Sequence, residues 1–483
     1  MQSQTYSASA SFVSSPSGDP YKYQVGFGNR FASEAIPGTL PLGQNYPQKN
    51  KYELYMEAMT GSPFVAPRPQ NFHAFMYRIR PSLDHKKFIE LPDSPDMESN
   101  FLPINPKVHI SPTQLNWAPP PFPSSSDEVD FISGLKTIGG NGEPTAREGL
   151  ALHFYVVNAD MKNKAFCNSD GDMLVVPQQG RLDVQTEFGR MMVRPGELMV
   201  IQKGMKFKVS LPDGPSRGYV QEIFGSHFEL PDLGPIGGHG MANPRDFEVP
   251  LASFEIDETR WEVSLSMTEV YHDRRGGRIG GQLFSAAQDH TPFDVVAWHG
   301  NYVPYKYAME KFIFVGSLSK DHINPSVFTI LTAKSKATGI PLVDVLTLSE
   351  RWDVASNTFR PPGFHLNNAT EIMALIYGEF GDRFVPGGLS LQTVFCPHGP
   401  PPEVHKAATV TELKPERISK DAMVFLLETP MILSMTDYAM NRAGTIRESE
   451  PLSFQPYFIA HLDEINADLK AAGKDELKKK SGQ

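Results

Sequence analysis

Glycine and proline set the tightest limit on what this chain can fold into. The sequence holds 39 glycines and 42 prolines, 81 of its 483 residues. They cut it into short pieces, so long helical periodicity is missing and turns abound. The longest apolar runs are about six residues, Ile372 to Tyr377 and Ala422 to Leu427. Neither approaches the ~20 needed to span a bilayer. From Gly149 to about Val209 the punctuation is nearly regular. GLALHFYVVN, GDMLVVPQQG, RLDVQTEFG, RMMVRPGELMVIQKG and MKFKVSLPDG are strand-length segments closed by Gly, Pro or Asp-Gly. Several such strands in succession predict a jelly roll, sandwich or barrel. The pattern Gly-Asp, Val-Pro-x-x-Gly and Pro-Gly-Glu-x-x-x-Ile-x-x-Gly resembles half a cupin. Where cupins usually carry metal-binding histidines, this half has residues such as Pro177, Gln178 and Gln179, so it reads as metal-free.

Elsewhere the expectations are coarser. Residues 1–20 read as a disordered leader, without the basic and apolar regions of a signal peptide. Ala74 to Arg80 reads as a strand bounded by proline, and Asp127 to Gly140 as a short helix. Leu230 to Pro250 is a Gly/Pro-rich connection whose GGHG lacks the frame of a phosphate loop. A polar insertion spans Arg274 to Gly281 and reads as a surface loop, a pocket rim being the alternative. LSLQTVF, Leu389 to Phe395, reads as a strand, and the tail from His461 as one polar helix. The expected divisions are 1–20, 21–290, 291–460 and 461–483.

Charge and cysteine content exclude several function classes. With 45 basic and 55 acidic residues, the net charge is -10. That disfavours nucleic acid and anionic membranes as partners. Two cysteines, Cys167 and Cys396, exclude a disulfide framework and fit a reducing, cytoplasmic setting. Cys396 reads as a small buried residue.

The densest chemistry lies between Phe359 and Gly399. His365 and Glu371 are separated by Asn367-Asn368, which is turn chemistry. Glu371 opens a very apolar strand, where an ionised carboxylate is costly unless paired or bound to a metal. His398 follows the next strand. Antiparallel neighbours bring the start of one strand to the end of the other. Two histidines and a carboxylate on a β-frame form a facial triad with three open positions. This suits non-haem Fe(II), while the same ligand set also serves catalytic zinc.

Longer stretches then carry a resemblance. YQVGFGNRFASEAIPGTLPLGQNYPQ, LPDGPSRGYVQE, LGPIGGHGMANPRDF, FSAAQDHTPFDVVAWHGNYVPYKY, RWDVASNTFRPPGFH and PHGP resemble the homogentisate 1,2-dioxygenase family, from about Tyr23 to about Phe458. The resemblance implies a mainly β chain. Its N-terminal region would hold an incomplete cupin-like, jelly-roll barrel, and a smaller β-rich C-terminal domain would bind the metal. It implies Fe(II) as cofactor, with His365, Glu371 and His398 as ligands, and His299 as acid/base on the substrate hydroxyl. The implied reaction opens homogentisate with O₂ to maleylacetoacetate, as in tyrosine and phenylalanine catabolism. A homo-oligomer, trimer or hexamer, is implied too.

Three positions depart from the family pattern. Leu366 stands where an Arg is usual, Phe380 where a substrate-contacting Tyr is usual, and Gln392 where a His is usual. Phe380, Gln392, Asn367 and His398 are the candidate substrate contacts. Asn367, Tyr302 and Tyr377 are candidates to compensate the losses. A paralogue acting on another dihydroxy-aromatic acid is the principal alternative. A zinc-dependent cupin enzyme and a non-catalytic cupin are the others.

Overall fold

A computed structural model of the chain describes residues 18–43, 46–92, 94–233, 241–267, 283–314, 328–337, 339–353, 363–381, 384–447 and 452–478. The architecture is mainly β, in four sheets of ten, eight, seven and four strands. At the centre of the ten-stranded sheet, Gly171–Gln179 pairs antiparallel with both Glu197–Ile201 and Ser216–Phe224. The last of these pairs with Glu148–Val157. The glycine- and proline-bounded segments thus become strands, because each exhausts its backbone hydrogen bonds on a neighbour before the next turn. The seven-stranded sheet, through Leu182–Thr186, Lys206–Ser210 and Lys164–Asn168, packs on its face. Phe207 meets Phe166 at 5.6 Å and, across the layers, Phe131 at 5.9 Å. The core is fully buried there, with Phe154, Tyr155, Phe207 and Tyr219 at 1% exposure or less.

The eight-stranded sheet carries the C-terminal chemistry. Its order runs Phe228–Glu229, Thr329–Lys334, Pro341–Asp353, Glu416–Thr429, Thr370–Tyr377, Leu389–Gln392, Leu115–Trp117 and Ile446–Arg447. One strand therefore comes from the first third of the chain. In return, Ser434–Thr436 joins the ten-stranded sheet. Val295–Gly300 and Tyr305–Ala308 lie beyond the expected division after residue 290. They nevertheless pair with Phe31–Glu34, His73–Arg78 and Glu197–Ile201 of the N-terminal region.

Several local expectations are corrected. Residues 127–140 form no helix: turns at 131–134 lead into the strand Leu135–Glu143, whose partner Glu148–Val157 takes up the backbone groups a helix would have used. Within the leader, Asp19 is anchored, pairing with the buried Lys306 at 2.8 Å and accepting from Tyr23 Oη; residues 1–17 lie outside the described residues. The tail from His461 does hold one helix, but a shorter one than its length, with a separate helical turn before it. Tyr457–Ala460 and Leu462–Ala471 are helical, and the chain leaves helix at Gly473, whose φ is +69°. The insertion at 274–281 and the GGHG at 237–240 lie outside the described residues.

His227 fastens the four-stranded sheet region to the barrel. Its Nδ1 stands 2.8 Å from the buried carboxylate of Asp172, and its Nε2 2.7 Å from the Gly61 carbonyl. Both ring nitrogens face acceptors, so the imidazolium fits and the neutral ring does not. Burial opposes the charge, but Asp172 and the Gly61 carbonyl outweigh it, and the pKa is pushed up to about 9 from an ordinary 6.5. A raised folded-state pKa stabilises fully below 6.5 and loses that contribution as pH climbs through 9. His227→Gln is expected to cost about 1–3 kcal/mol at pH 7. Urea denaturation at pH 6.5, 8 and 9.5 checks it: the wild type weakens towards pH 9.5, and the variant stays flat. Equal slopes would refute the role.

Candidate metal centre

Glu371 is the second residue of the strand Thr370–Tyr377. In antiparallel register it faces Gln392 on one side and Glu428 on the other. The strand alternates Ile372, Ala374 and Ile376 into the main core. Glu371, Met373 and Leu375 face the opposite side. The expected strand LSLQTVF is shorter than its sequence: it ends at Gln392. A turn follows, closed by Cys396 N–H donating to the Thr393 carbonyl, with Phe395 left-handed at φ +56°. That turn carries the chain back over Glu371. His398 then forms an isolated antiparallel bridge with His365. Each residue's N–H donates to the other's carbonyl, at 3.0 and 3.2 Å. Between His365 and Glu371 the chain bends at Asn368 and Ala369. Gly399 permits this meeting. A Cβ there would stand 2.5 Å from the Phe364 ring and 3.0 Å from its Cα, prising the two histidines apart.

The side chains converge. His365 Nδ1 is 2.8 Å from the Gly363 carbonyl, and His398 Nδ1 is 2.8 Å from the Cys396 carbonyl. A carbonyl only accepts, so each Nδ1 carries the proton and each Nε2 presents its lone pair. His365 Nε2 stands 3.6 Å from Glu371 Oε1, and His398 Nε2 3.4 Å from Glu371 Oε2. One ligand atom from each residue falls within 4.8 Å of the others. His398 Nε2 is buried and stands off hydrogen-bond geometry, without a partner. Asn367 Nδ2 donates to Glu371 Oε1 and fixes the carboxylate. Burial alone would push Glu371 up, yet hydrogen bonding and charge from His398, then Asn367 and His365, hold it below the ordinary carboxylate range, an effect of the imidazolium forms whose Nε2 protons a bound cation displaces. A donor set of two outward lone pairs and one ionised carboxylate fits a divalent cation.

A row of polar groups crosses the sheet through this point: Asp344, Glu428, Glu371 and Gln392 are successive register partners. Burial, then the charges of Glu371 and Asp344, push Glu428 up to about 7. Sequence reading missed Glu428, although a lone carboxylate closing the apolar run MVFLLE was the signal that singled out Glu371.

The other predicted residues are distributed differently. Gln392 is 7% exposed, donates through Nε2 to Ser390 Oγ at 3.0 Å, and leaves its Oε1 without a partner. Leu366 projects into solvent at 60% exposure. Phe380 is not brought to the triad. It lies past the far end of the Glu371 strand, about 20 Å along it, where its ring packs on Phe384 at 5.6 Å and against Leu375. Tyr377 sits at that same far end, its hydroxyl beside Gly196. Tyr302 is buried, donating to the Lys203 carbonyl. Neither tyrosine is placed to compensate at the triad. His299 lies in the four-stranded sheet, paired with Ala32 and Phe75 and stacked on the Phe75 ring at 5.1 Å. Burial, then His73 and Arg30, lower its pKa and keep it neutral. Among the described residues no contact joins it to the triad. Nor is any other histidine, cysteine and carboxylate group there arranged to hold a metal.

The sequence matches two family models, described as homogentisate 1,2-dioxygenase N-terminal, over residues 22–309, and homogentisate 1,2-dioxygenase C-terminal, over residues 310–452. It is 48% identical over 423 residues to the homogentisate 1,2-dioxygenase of Dictyostelium discoideum, covering 87% of this chain and 93% of that one. Against that of Arabidopsis thaliana the identity is 46%, covering 87% and 89%. Against that of Homo sapiens it is 43%, covering 90% and 96%.

Proposed function

Since the chain belongs to the homogentisate 1,2-dioxygenase family, a family of ring-cleaving dioxygenases, we propose that it opens homogentisate with O₂ to give maleylacetoacetate, using Fe(II) at His365, Glu371 and His398. The observation that carries the metal assignment is the pair of Nδ1–H bonds to backbone carbonyls. They leave two Nε2 lone pairs and one oriented carboxylate aimed at a single point. Fe(II) held by three protein ligands keeps open positions for a substrate oxygen and for O₂.

The chain's own residues do the rest. The two backbone carbonyls lock the histidine tautomers, as outer partners of metal ligands do. Asn367 holds the Glu371 carboxylate in one rotamer, and Gln392 offers a buried acceptor to a substrate hydroxyl. His299, neutral by its surroundings, takes the phenol proton in this reading, a role that rests on the family motif. A homo-oligomer, trimer or hexamer, in the cytoplasm completes the proposal. Among the described residues, no helix is long and apolar enough to cross a membrane.

A second reading is a paralogue acting on another dihydroxy-aromatic acid. It is favoured by Leu366 standing exposed beside the ligand His365 and by the unpartnered Oε1 of Gln392. The test is O₂ uptake by anaerobically Fe(II)-loaded protein on adding homogentisate, with metal content measured on the same sample. Stoichiometric uptake supports the first reading. Iron bound without uptake sinks homogentisate as substrate, and zinc with no O₂ consumed sinks the dioxygenase.

A further inference from the structure

Two amides flank the ligand Glu371, and each has its nitrogen engaged and its oxygen free. Asn367 donates through Nδ2 to Glu371 Oε1, and its buried Oδ1 has no partner. Gln392 is the direct register partner of Glu371. The two side chains therefore leave the same face of the sheet, with Cβ atoms about 5 Å apart. Gln392 is more than nine-tenths buried, and its Oε1 also has no partner. Its Nε2 is held. It donates at 3.0 Å to Oγ of Ser390, two residues back on the same face, and Gln114 Nε2 reaches that same Oγ at 3.5 Å. Gln114 precedes Leu115, which pairs with Leu391, so a strand from the first third of the chain braces the serine. The oxygen and nitrogen arms of a planar amide point apart. With Nε2 tied back to Ser390, Oε1 is directed to the end of the strand at Gln392, where the turn to His398 begins.

We propose that Ser390, braced by Gln114, is a positioning residue: it sets the Gln392 amide so that the oxygen, and not the NH₂, meets the ring hydroxyl that the metal does not hold. This inference rests on the function proposed above and adds what aims the acceptor and what the acceptor selects. An amide oxygen only accepts. A second ring hydroxyl satisfies it, whereas an aromatic acid with a single hydroxyl leaves a buried acceptor unmade, which costs affinity. A carboxylate arm brings no donor, and it would face the charge of Glu371 and the Asn367 oxygen, so the arm is turned away from this flank. Without the Ser390 hydroxyl nothing holds Nε2 back. The flipped amide then turns its NH₂ towards Glu371, and the ring hydroxyl loses its acceptor.

The test is anaerobic calorimetry of the Fe(II)-loaded protein with homogentisate and with 2-hydroxyphenylacetate, which keeps the ring, the arm and the hydroxyl beside it but lacks the second hydroxyl. Wild type is expected to prefer homogentisate roughly tenfold or more. Ser390→Ala should weaken homogentisate binding about 5- to 20-fold and leave 2-hydroxyphenylacetate within about twofold. Ser390→Thr, which keeps the hydroxyl, should recover most of the loss. Gln114→Leu, at a less buried position, should show a smaller loss of the same selectivity. On a Gln392→Ala background, Ser390→Ala should add nothing. In oxygen uptake the Ser390→Ala loss should fall on KM, with kcat held within about threefold. Equal losses on both ligands, additive losses in the double variant, or no preference in wild type would overturn the proposal. If wild type prefers homogentisate but consumes no O₂ with it, the proposed reaction fails and the calorimetry alone decides Ser390.

Discussion

Glu371→Gln is expected to lose iron and to lower O₂ uptake with homogentisate on the order of a thousandfold, about 4 kcal/mol of barrier. The replacement is nearly isosteric. Asn367 can still donate to the amide oxygen, so local packing survives, but the negative charge that balances a divalent cation is gone. His398→Ala and His365→Ala should behave alike, because each removes an Nε2 donor from a set of only three. The check is iron per chain by elemental analysis beside the uptake rate. A thermal melt taken in chelator shows that the fold itself is intact. Full iron content and near-normal uptake in Glu371→Gln would remove the triad from the mechanism.

Arg78→Met should produce the largest loss of stability, about 3–5 kcal/mol. Arg78 is 2% exposed. Its guanidinium donates to Asp294, Glu187, Glu57, Ser82 and the Pro292 carbonyl. These groups come from the four-stranded sheet, from the segment leading into Val295–Gly300, and from the turn between Leu182–Thr186 and Gly189–Val193. Without the arginine, Glu187 and Asp294 stay buried as carboxylates with only Lys206 left to offset Glu187. Lysine is no substitute, since one ammonium cannot span the same five acceptors. Urea denaturation measures the loss, and Arg78→Met/Asp294→Asn should regain part of it. A loss below about 1 kcal/mol would show that the cluster contributes little.

What the sequence makes legible follows the range of the interaction. The strands from Gly149 to Val209 are local features: alternation and glycine boundaries define them, and the pairing register respects those boundaries. The triad was legible for a similar reason. Asn367-Asn368 marks a bend, and hairpin geometry brings Glu371 near the residues that follow Leu389–Gln392. Long-range facts were not legible. Nothing in Leu115–Trp117 announces that it will border Leu389–Gln392, so this edge of the sheet has no sequence signature. The helix expected over 127–140 failed because EVDFISGLKTI has acceptable helical spacing. Its partner strand, Glu148–Val157, offers a longer ladder than a helix of that length can supply. Phe380 was expected at the triad from family motif alone. Six residues of strand and the turn at Gly378 separate it from Glu371, and its ring packs on Phe384 instead.

The eight-stranded sheet has a consequence for how the chain acquires its chemistry. Its edge is closed by Leu115–Trp117 and Ile446–Arg447, which enter from opposite ends of the sequence. Contacts separated by more than three hundred residues form slowly, because the intervening chain must first be ordered. During synthesis His365, Glu371 and His398 leave the ribosome before Ile446 and Arg447 do. The sheet beneath them is complete only when nearly the whole polypeptide is free. A cation bound at the triad is therefore expected to enter late, once the sheet edge is closed. A fragment beginning after residue 117 would present His365, Glu371 and His398 on a sheet with an unsealed edge, prone to pairing with other chains.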